Sequence, residues 1–222
     1  MSLRLVIFDV DGTLVDSQGD IVASMDAAFV GVGLIPPSRA EILSIVGLSL
    51  DRAIHQLAPQ TPVEMLKEMV ARYKAEYQAL RARAGAASSP LYPGIRAVVD
   101  AFAGDDSTLL AIATGKSRRG LAALLDNHGW SRTFVSMQVA DDHPSKPHPS
   151  MLLAALSDTG VSADRAVMIG DTTYDMDMAG AAGLPFLGVN WGYHAPAMLG
   201  DAVEILGAAR DIPAAVSRVI GD

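Results

Sequence analysis

The sequence predicts an α/β fold in which a doubly wound parallel sheet is interrupted, after its first strand, by an inserted α-helical domain. Three observations carry this. Short apolar runs recur along the chain and end in small or acidic residues, as strands buried on both faces do. From about residue 90 onward these runs alternate with helical periodicities, which implies right-handed crossovers between parallel strands. Residues 17–86, by contrast, carry helical periodicity alone.

The strand candidates are residues 3–8, 109–113, 134–139, 166–169 and 186–189. Between them, Ile95, Val98, Val99 and Phe102 mark a helix stopped by Gly104. Leu121, Leu124 and Leu125 mark a second, ending near Gly129. Met151, Leu152, Ala155 and Leu156 mark a third, ending near Gly160. Within the insert, Ile21, Val22, Met25, Phe29 and Val32 form one amphipathic face closed by Gly33. Ser38 with Glu41 reads as a capping box, and Ser49 as the cap of a further helix. Thr61-Pro62-Val63-Glu64 reads as a cap with proline in the first turn, opening a helix with Leu66, Met69, Val70, Tyr73, Tyr77 and Leu80 on one face. Residues 85–90 read as a linker. The predicted domains are therefore 1–16 with 87–222, a Rossmann-like core, and 17–86, a helical cap.

The 222 residues include 17 Lys+Arg against 25 Asp+Glu, a net charge of −8, and half are hydrophobic. Such a chain can bury a sizeable core and is a poor binder of polyanions, so nucleic acid is not an expected partner. The insert has seven basic and seven acidic residues, so the whole negative balance belongs to the sheet domain. The absence of Cys excludes a disulfide scaffold, a thiolate metal site and a cysteine nucleophile. No stretch has the roughly 18 apolar residues of a spanning helix, and the N-terminus lacks a signal-peptide pattern. The sequence thus reads as soluble and cytoplasmic, with no membrane partner; it leaves the oligomeric state open.

The chemistry concentrates at strand ends. The first strand delivers Asp9-Val10-Asp11-Gly12-Thr13. Two residues apart in extended chain, Asp9 and Asp11 point the same way, and two such carboxylates repel unless a cation or proton lies between them. A second acidic cluster, Gly170-Asp171-Thr172-Thr173-Tyr174-Asp175, follows the fourth strand. If Phe8 and Ile169 end adjacent strands, Asp9, Asp11 and Asp171 converge at the carboxyl edge of the sheet, where ligands of such folds bind. Hard oxygen donors with open positions suit Mg²⁺. Asp171 and Asp175 also fit a helix cap and a first-turn acid. Thr114-Gly115-Lys116 precedes a helix whose amide groups can hold an anion, and Ser145-Lys146-Pro147-His148-Pro149 presents a lysine between stiffening prolines. An EF-hand reading fails, because glycine falls at the fourth loop position and the twelfth is not Glu.

In this order the motifs DVDGT, ATGK, SKPHP and GDTTYDMDMAG resemble the haloacid dehalogenase-like superfamily, in particular its phosphoglycolate phosphatase-like members with a helical cap. The resemblance implies a Mg²⁺-dependent phosphatase acting on a small phosphorylated metabolite. Asp9 would be the nucleophile that becomes an aspartyl-phosphate, and Asp11 the general acid and then base. Thr114, Gly115 and Lys146 would bind the phosphoryl group. Asp9, Asp11 through its backbone carbonyl, and Asp171 would ligate the metal, with Asp175 ligating or orienting. Family members often carry Ser or Asn where this chain has Gly115. A sugar phosphomutase of the β-phosphoglucomutase type shares these residues. A dehalogenase would not need Asp11, and a non-catalytic regulator would not need the complete set.

Arg52 and His55, just after a turn of the cap, are the expected substrate-selecting residues. Lys116 is expected to be structural or on the surface, Asp141, Asp142 and His143 to form an exposed acidic turn, and Arg118-Arg119 to be solvated. Trp191-Gly192-Tyr193-His194 follows the fifth strand on the rim of the predicted site.

Overall fold

Arg4-Leu5-Val6-Ile7-Phe8 forms the first strand, β1 (Arg4–Phe8), and all of its residues are buried. It lies inside a six-stranded sheet with β2 (Thr108–Thr114), β3 (Ser136–Val139), β4 (Ala166–Gly170), β5 (Phe186–Val189) and β6 (Glu204–Leu206). The order is β3-β2-β1-β4-β5-β6, and every pairing is parallel. This is the doubly wound order, with its switch point between β1 and β4. The computed structural model describes residues 3–221, so Met1, Ser2 and Asp222 lie outside the described residues.

Between β1 and β2 come the insert helices α1 (Gln18–Val30), α2 (Arg39–Ser44), α3 (Leu50–Leu57) and α4 (Val63–Ala84). They share their own apolar cluster, including Ile21, Met25, Phe29, Ile42, Ile54 and Met69. The insert's two ends run side by side. Val15 bridges Leu91, Asp16 N–H donates to the Pro90 carbonyl (2.8 Å), and Tyr92 N–H to that of Leu14 (3.0 Å).

After the insert come α5 (Ile95–Ala103), α6 (Arg118–Asn127), α7 (Ser150–Thr159), α8 (Thr173–Ala182) and α9 (Ile212–Ile220). Alternation along the strands divides the core. Val6, Phe8, Ile112, Val167 and Ile169 pack with α5, α6 and α9. Leu5, Ile7, Ala111, Ala113 and Met168 pack with α7 and α8. Both faces of the sheet are therefore covered, which is why its strands read as continuous apolar runs. Among the described residues, no helix is long and apolar enough to cross a membrane.

The capping box at Ser38 and Glu41 is complete. Several boundaries differ from expectation. Strand β3 starts at Ser136: Phe134 enters the core from the preceding turn, while Val135 is 58% exposed. Strand β6 and helix α9 are additional elements. Pro62 keeps an extended ψ of 146° and occupies the boundary position of α4, so the helix starts at Val63 and Thr61 is not its cap. Ser49 does precede α3, but its hydroxyl makes no capping bond; its N–H donates instead to Ser145 Oγ (2.9 Å). The expected linker is a 3₁₀ turn, Gly85–Ser88, with Ser88 and Ser89 buried and Ser88 bonded to Asp20.

Candidate active site

Register brings the acidic residues together. Phe8 pairs with Ile169, and the Asp9 N–H donates to the Ile169 carbonyl (2.9 Å), so Asp9 and Asp171 leave the sheet side by side. Asp175, on the first turn of α8, completes a buried group: one carboxylate oxygen from each of Asp9, Asp171 and Asp175 lies within 4.8 Å of the others. Asp171 accepts from Thr13 Oγ1 (2.9 Å) and from the Tyr193 N–H (2.8 Å). Two glycines press on it. A Cβ at Gly12, which sits at φ 90°, would come 2.2 Å from Asp171 Oδ2, and one at Gly192 would come 2.1 Å from Asp171 Cβ. The cap of α8 is Thr172, not Asp171. Thr172 and Asp175 exchange capping-box bonds, which orient the Asp175 carboxylate.

Lys146 is fully buried against this group, with Nζ 2.7 Å from Asp9 Oδ1 and 2.6 Å from Asp175 Oδ1. Burial opposes its charge, but the two carboxylates hold its ammonium above the usual lysine range. One lysine does not balance three carboxylates. Burial pushes the Asp9 carboxyl up to about 7. Burial, together with repulsion from Asp9 and Asp175, raises Asp171 as well. Asp9 Oδ2 is buried and has no hydrogen-bond partner. An orphaned carboxylate oxygen inside an over-negative cluster is what an absent cation would satisfy.

The carboxylate of Asp11 belongs to a different set of contacts. Lys116 Nζ lies 2.8 Å from Asp11 Oδ1 and 3.0 Å from the hydroxyl of Tyr77 on α4, with the ammonium 4.9 Å from the Tyr77 ring centre. Ser17 Oγ also donates to Asp11. The Tyr193 hydroxyl accepts the Ser17 N–H (3.0 Å), so Tyr193 touches Asp171 through its backbone and the Asp11 network through its ring. Of the two roles expected for Lys116, structural or surface, the surface one is excluded: its side chain is 9% exposed and paired with Asp11. Burial works against this lysine too, and Asp11 keeps it charged. Thr13, within the DVDGT motif, and Tyr193, expected on the rim, are further contributors with no role assigned from the sequence, and Ser17 was not anticipated at all. The one available signal was their position beside DVDGT or just past β5.

Thr114 ends β2, buried, and its hydroxyl accepts the Lys116 N–H (3.2 Å). At Gly115 a Cβ would come 2.6 Å from the Leu48 carbonyl oxygen and 2.8 Å from that of Gly47. The glycine is what lets the insert's backbone pass directly over this turn. Asp9, Asp11, Thr114, Gly115 and Lys116 all reach one cavity of about 460 Å³, walled on the far side by the insert.

Arg52 and His55 are not on that cavity. Helix α3 turns Ala53 and Ile54 inward, which leaves Arg52 and His55 exposed on the other face. Asp141 and Asp142 are exposed, but His143 is half-buried between Ser150 Oγ (2.8 Å) and Gln138 Oε1 (2.7 Å), so it is not part of an exposed turn. Arg118 and Arg119 are exposed, with Arg118 paired to Asp142; Arg119 reaches the cavity wall.

A doubly wound sheet with a buried acid–lysine centre at its switch point defines an α/β enzyme whose chemistry sits at the end of β1. The chain belongs to the haloacid dehalogenase-like hydrolase family, whose model matches residues 6–189. It is 36% identical over 218 residues to the probable phosphatase IndB of Dickeya dadantii, covering 92% of this chain and 93% of that one. It is 31% identical over 194 residues to the phosphoglycolate phosphatase of Agrobacterium fabrum, covering 85% and 81%. A haloacid dehalogenase-like hydrolase from Streptococcus pneumoniae shares the fold with a TM-score of 0.81 at 24% identity, covering 96% of this chain and 98% of that one.

Proposed function

We propose that the protein is a Mg²⁺-dependent phosphatase that hydrolyses a small phosphorylated metabolite through an aspartyl-phosphate on Asp9. The observation that carries the reading is the unpartnered, buried Asp9 Oδ2 beside Asp171, Asp175 and Lys146. The phosphatase names of the curated relatives support the same reaction class.

Asp9, Asp171 and Asp175, with the backbone carbonyl of Asp11, would hold Mg²⁺, which when bound would offset the carboxylate charge and stabilise negative charge on the transferring phosphoryl oxygens. Lys146, Thr114 and the amide of Gly115 hold the phosphoryl group in line with Asp9. An Asp9 oxygen forms a bond to phosphorus as the bond from phosphorus to the substrate oxygen breaks. Asp11 gives its proton to the departing oxygen. Asp11 then takes a proton from water as that water attacks phosphorus, which releases Asp9 and inorganic phosphate. The insert, residues 17–86, acts as a cap that covers the site and excludes bulk water.

Asp9→Asn tests the assignment. The variant is expected to fold, with an unchanged far-UV spectrum, and to release no phosphate from a panel of phosphorylated metabolites supplied with Mg²⁺. Retained turnover would remove Asp9 as nucleophile.

A further inference from the structure

We propose that the cavity contains a second anion-binding site, formed by Lys74 and Arg81 of α4 and Arg119 of α6. It would take a carboxylate or phosphate at the far end of a substrate whose apolar body is longer than two carbons. This deepens, and rests on, the phosphatase reading.

One face of α4 lines the cavity. Val70, Tyr73, Lys74, Tyr77, Gln78 and Arg81 recur at the three- and four-residue spacing of a single helical stripe. Lys67 pairs with Glu64 and Arg72 with Glu68 on α4, and Arg118 with Asp142 beside α6, whereas Arg83 of α4 is exposed to solvent away from the cavity. The side chains of Lys74, Arg81 and Arg119, which reach the cavity, make no hydrogen bond or ion pair with any described residue. In a chain of net charge −8, unpaired cations gathered at a concave surface are donors awaiting an anion.

The other charged groups on the walls do not satisfy them. Asp9 and Asp11 are held by Lys146 and Lys116. Asp141 accepts the Arg118 N–H (2.8 Å), and neither it nor Asp51 lies within ion-pairing distance of the three cations. Arg81 also lines a neighbouring narrow cleft, with Tyr77, Lys116, Gly120 and His128 and without a carboxylate.

Size and polarity set the rest of the ligand. About 460 Å³ is room for roughly 15 water molecules at ~30 Å³ each. A two-carbon phosphate would leave most of that volume to water. Ile21, Met25, Leu48 and Val70 give the cavity an apolar wall, which favours an apolar chain or ring as the body of the ligand.

The test compares matched probes: hexyl phosphate with 6-carboxyhexyl phosphate, and shorter pairs down to two carbons. Phosphate release with Mg²⁺ is expected to favour the carboxylated six-carbon probe by about tenfold, the scale of one charge-assisted contact. The advantage should vanish in the shortest pair, and should fall toward unity in Arg81→Gln, Arg119→Gln and the double variant. Arg132→Gln, an exposed arginine off the cavity, should keep it. The same preference is read by calorimetric binding to the Asp9→Asn protein, which needs no turnover. Equal binding of the two probes, or a preference indifferent to Arg81 and Arg119, would overturn the second site. Preferential binding with no phosphate release by the unaltered enzyme would overturn the phosphatase reading and leave the site standing.

Discussion

A buried carboxylate costs stability unless something shares its charge, and at Asp9, Asp11 and Asp171 the molecule answers this in different ways. Asp171 receives a hydroxyl and an amide N–H, Asp11 receives Lys116 and Ser17, and Asp9 has Lys146 on one oxygen and nothing on the other. Lys116 is thus a positioning residue for the proposed acid–base group. Lys116→Met should lower kcat by about 10²-fold, within the range of general acid–base contributions, while Lys116→Arg recovers part of the loss. An unchanged kcat in the methionine variant would remove Lys116 from the mechanism. Asp9, Thr114 and Asp171 were legible in the sequence because each sits in a short motif at the end of an apolar run, and Lys146 because prolines flank it in a short motif. The roles of Lys116 and Ser17, and the contacts of Tyr193 beyond its place on the rim, were not, because they depend on partners brought together by the sheet. Nothing local to Gly192-Tyr193 announces that its amide will meet Asp171.

At the scale of elements, the insert is tied to the sheet domain at a few polar contacts. The Ser44 carbonyl at the end of α2 accepts from His194 Nε2 (3.0 Å) and from the Tyr174 hydroxyl (3.2 Å). His194 Nδ1 accepts the Thr173 N–H (3.1 Å), so the ring is neutral with its proton on Nε2. Burial keeps its pKa below the usual 6.5. The unfolded chain therefore takes up a proton that the folded one resists, and the stabilisation is complete above pH 6.5 and declines as pH falls below it. Asp9 and Asp171, whose carboxyls are raised by burial, act with the opposite sign over the same range, so the His194 contribution is read as a difference: relative to the unaltered protein, the melting temperature of His194→Asn should fall less, or rise more, between about pH 7 and pH 5. An identical slope in the variant would exclude that contribution. Strands with both faces buried were readable as apolar runs, but β6, Glu204–Leu206, was not. It is a short edge strand with a partly exposed charged start, and only its pairing with β5 defines it. The inward face of α3 was also hidden: its polar Arg52 and His55 attracted a functional reading, whereas Ala53 and Ile54 are the residues that pack.

For the whole molecule, the proposed cation is a stability term as well as a chemical one. A ligand that binds only the folded state at 100 times its dissociation constant adds about 2.7 kcal/mol. In a chain of this length each kcal/mol moves the melting temperature by about 2–4 °C. Saturating Mg²⁺ at neutral pH should therefore raise it by roughly 5–10 °C. Asp171→Asn should abolish most of the increase. A melting temperature indifferent to Mg²⁺ would argue against the cluster as a metal site. The doubly wound sheet and its helical interruption could be anticipated from periodicity alone, because alternation of apolar runs with amphipathic stretches is a property of the chain. How closely the insert lies over the sheet could not, since it turns on Gly115 admitting the Gly47 and Leu48 carbonyls.

The pairing of Val15 with Leu91 bears on how the chain reaches this arrangement. Strand β1 must find β2 across a separation of 104 residues, a slow search for an unstructured loop. Helices 17–86 contact one another locally and can collapse early. Once they have, the two chain ends emerge together and the loop still to be closed is short, each halving of its length sparing about 0.6 kcal/mol of closure entropy. The interruption of the sheet is then also the step that brings its central strands within reach of each other.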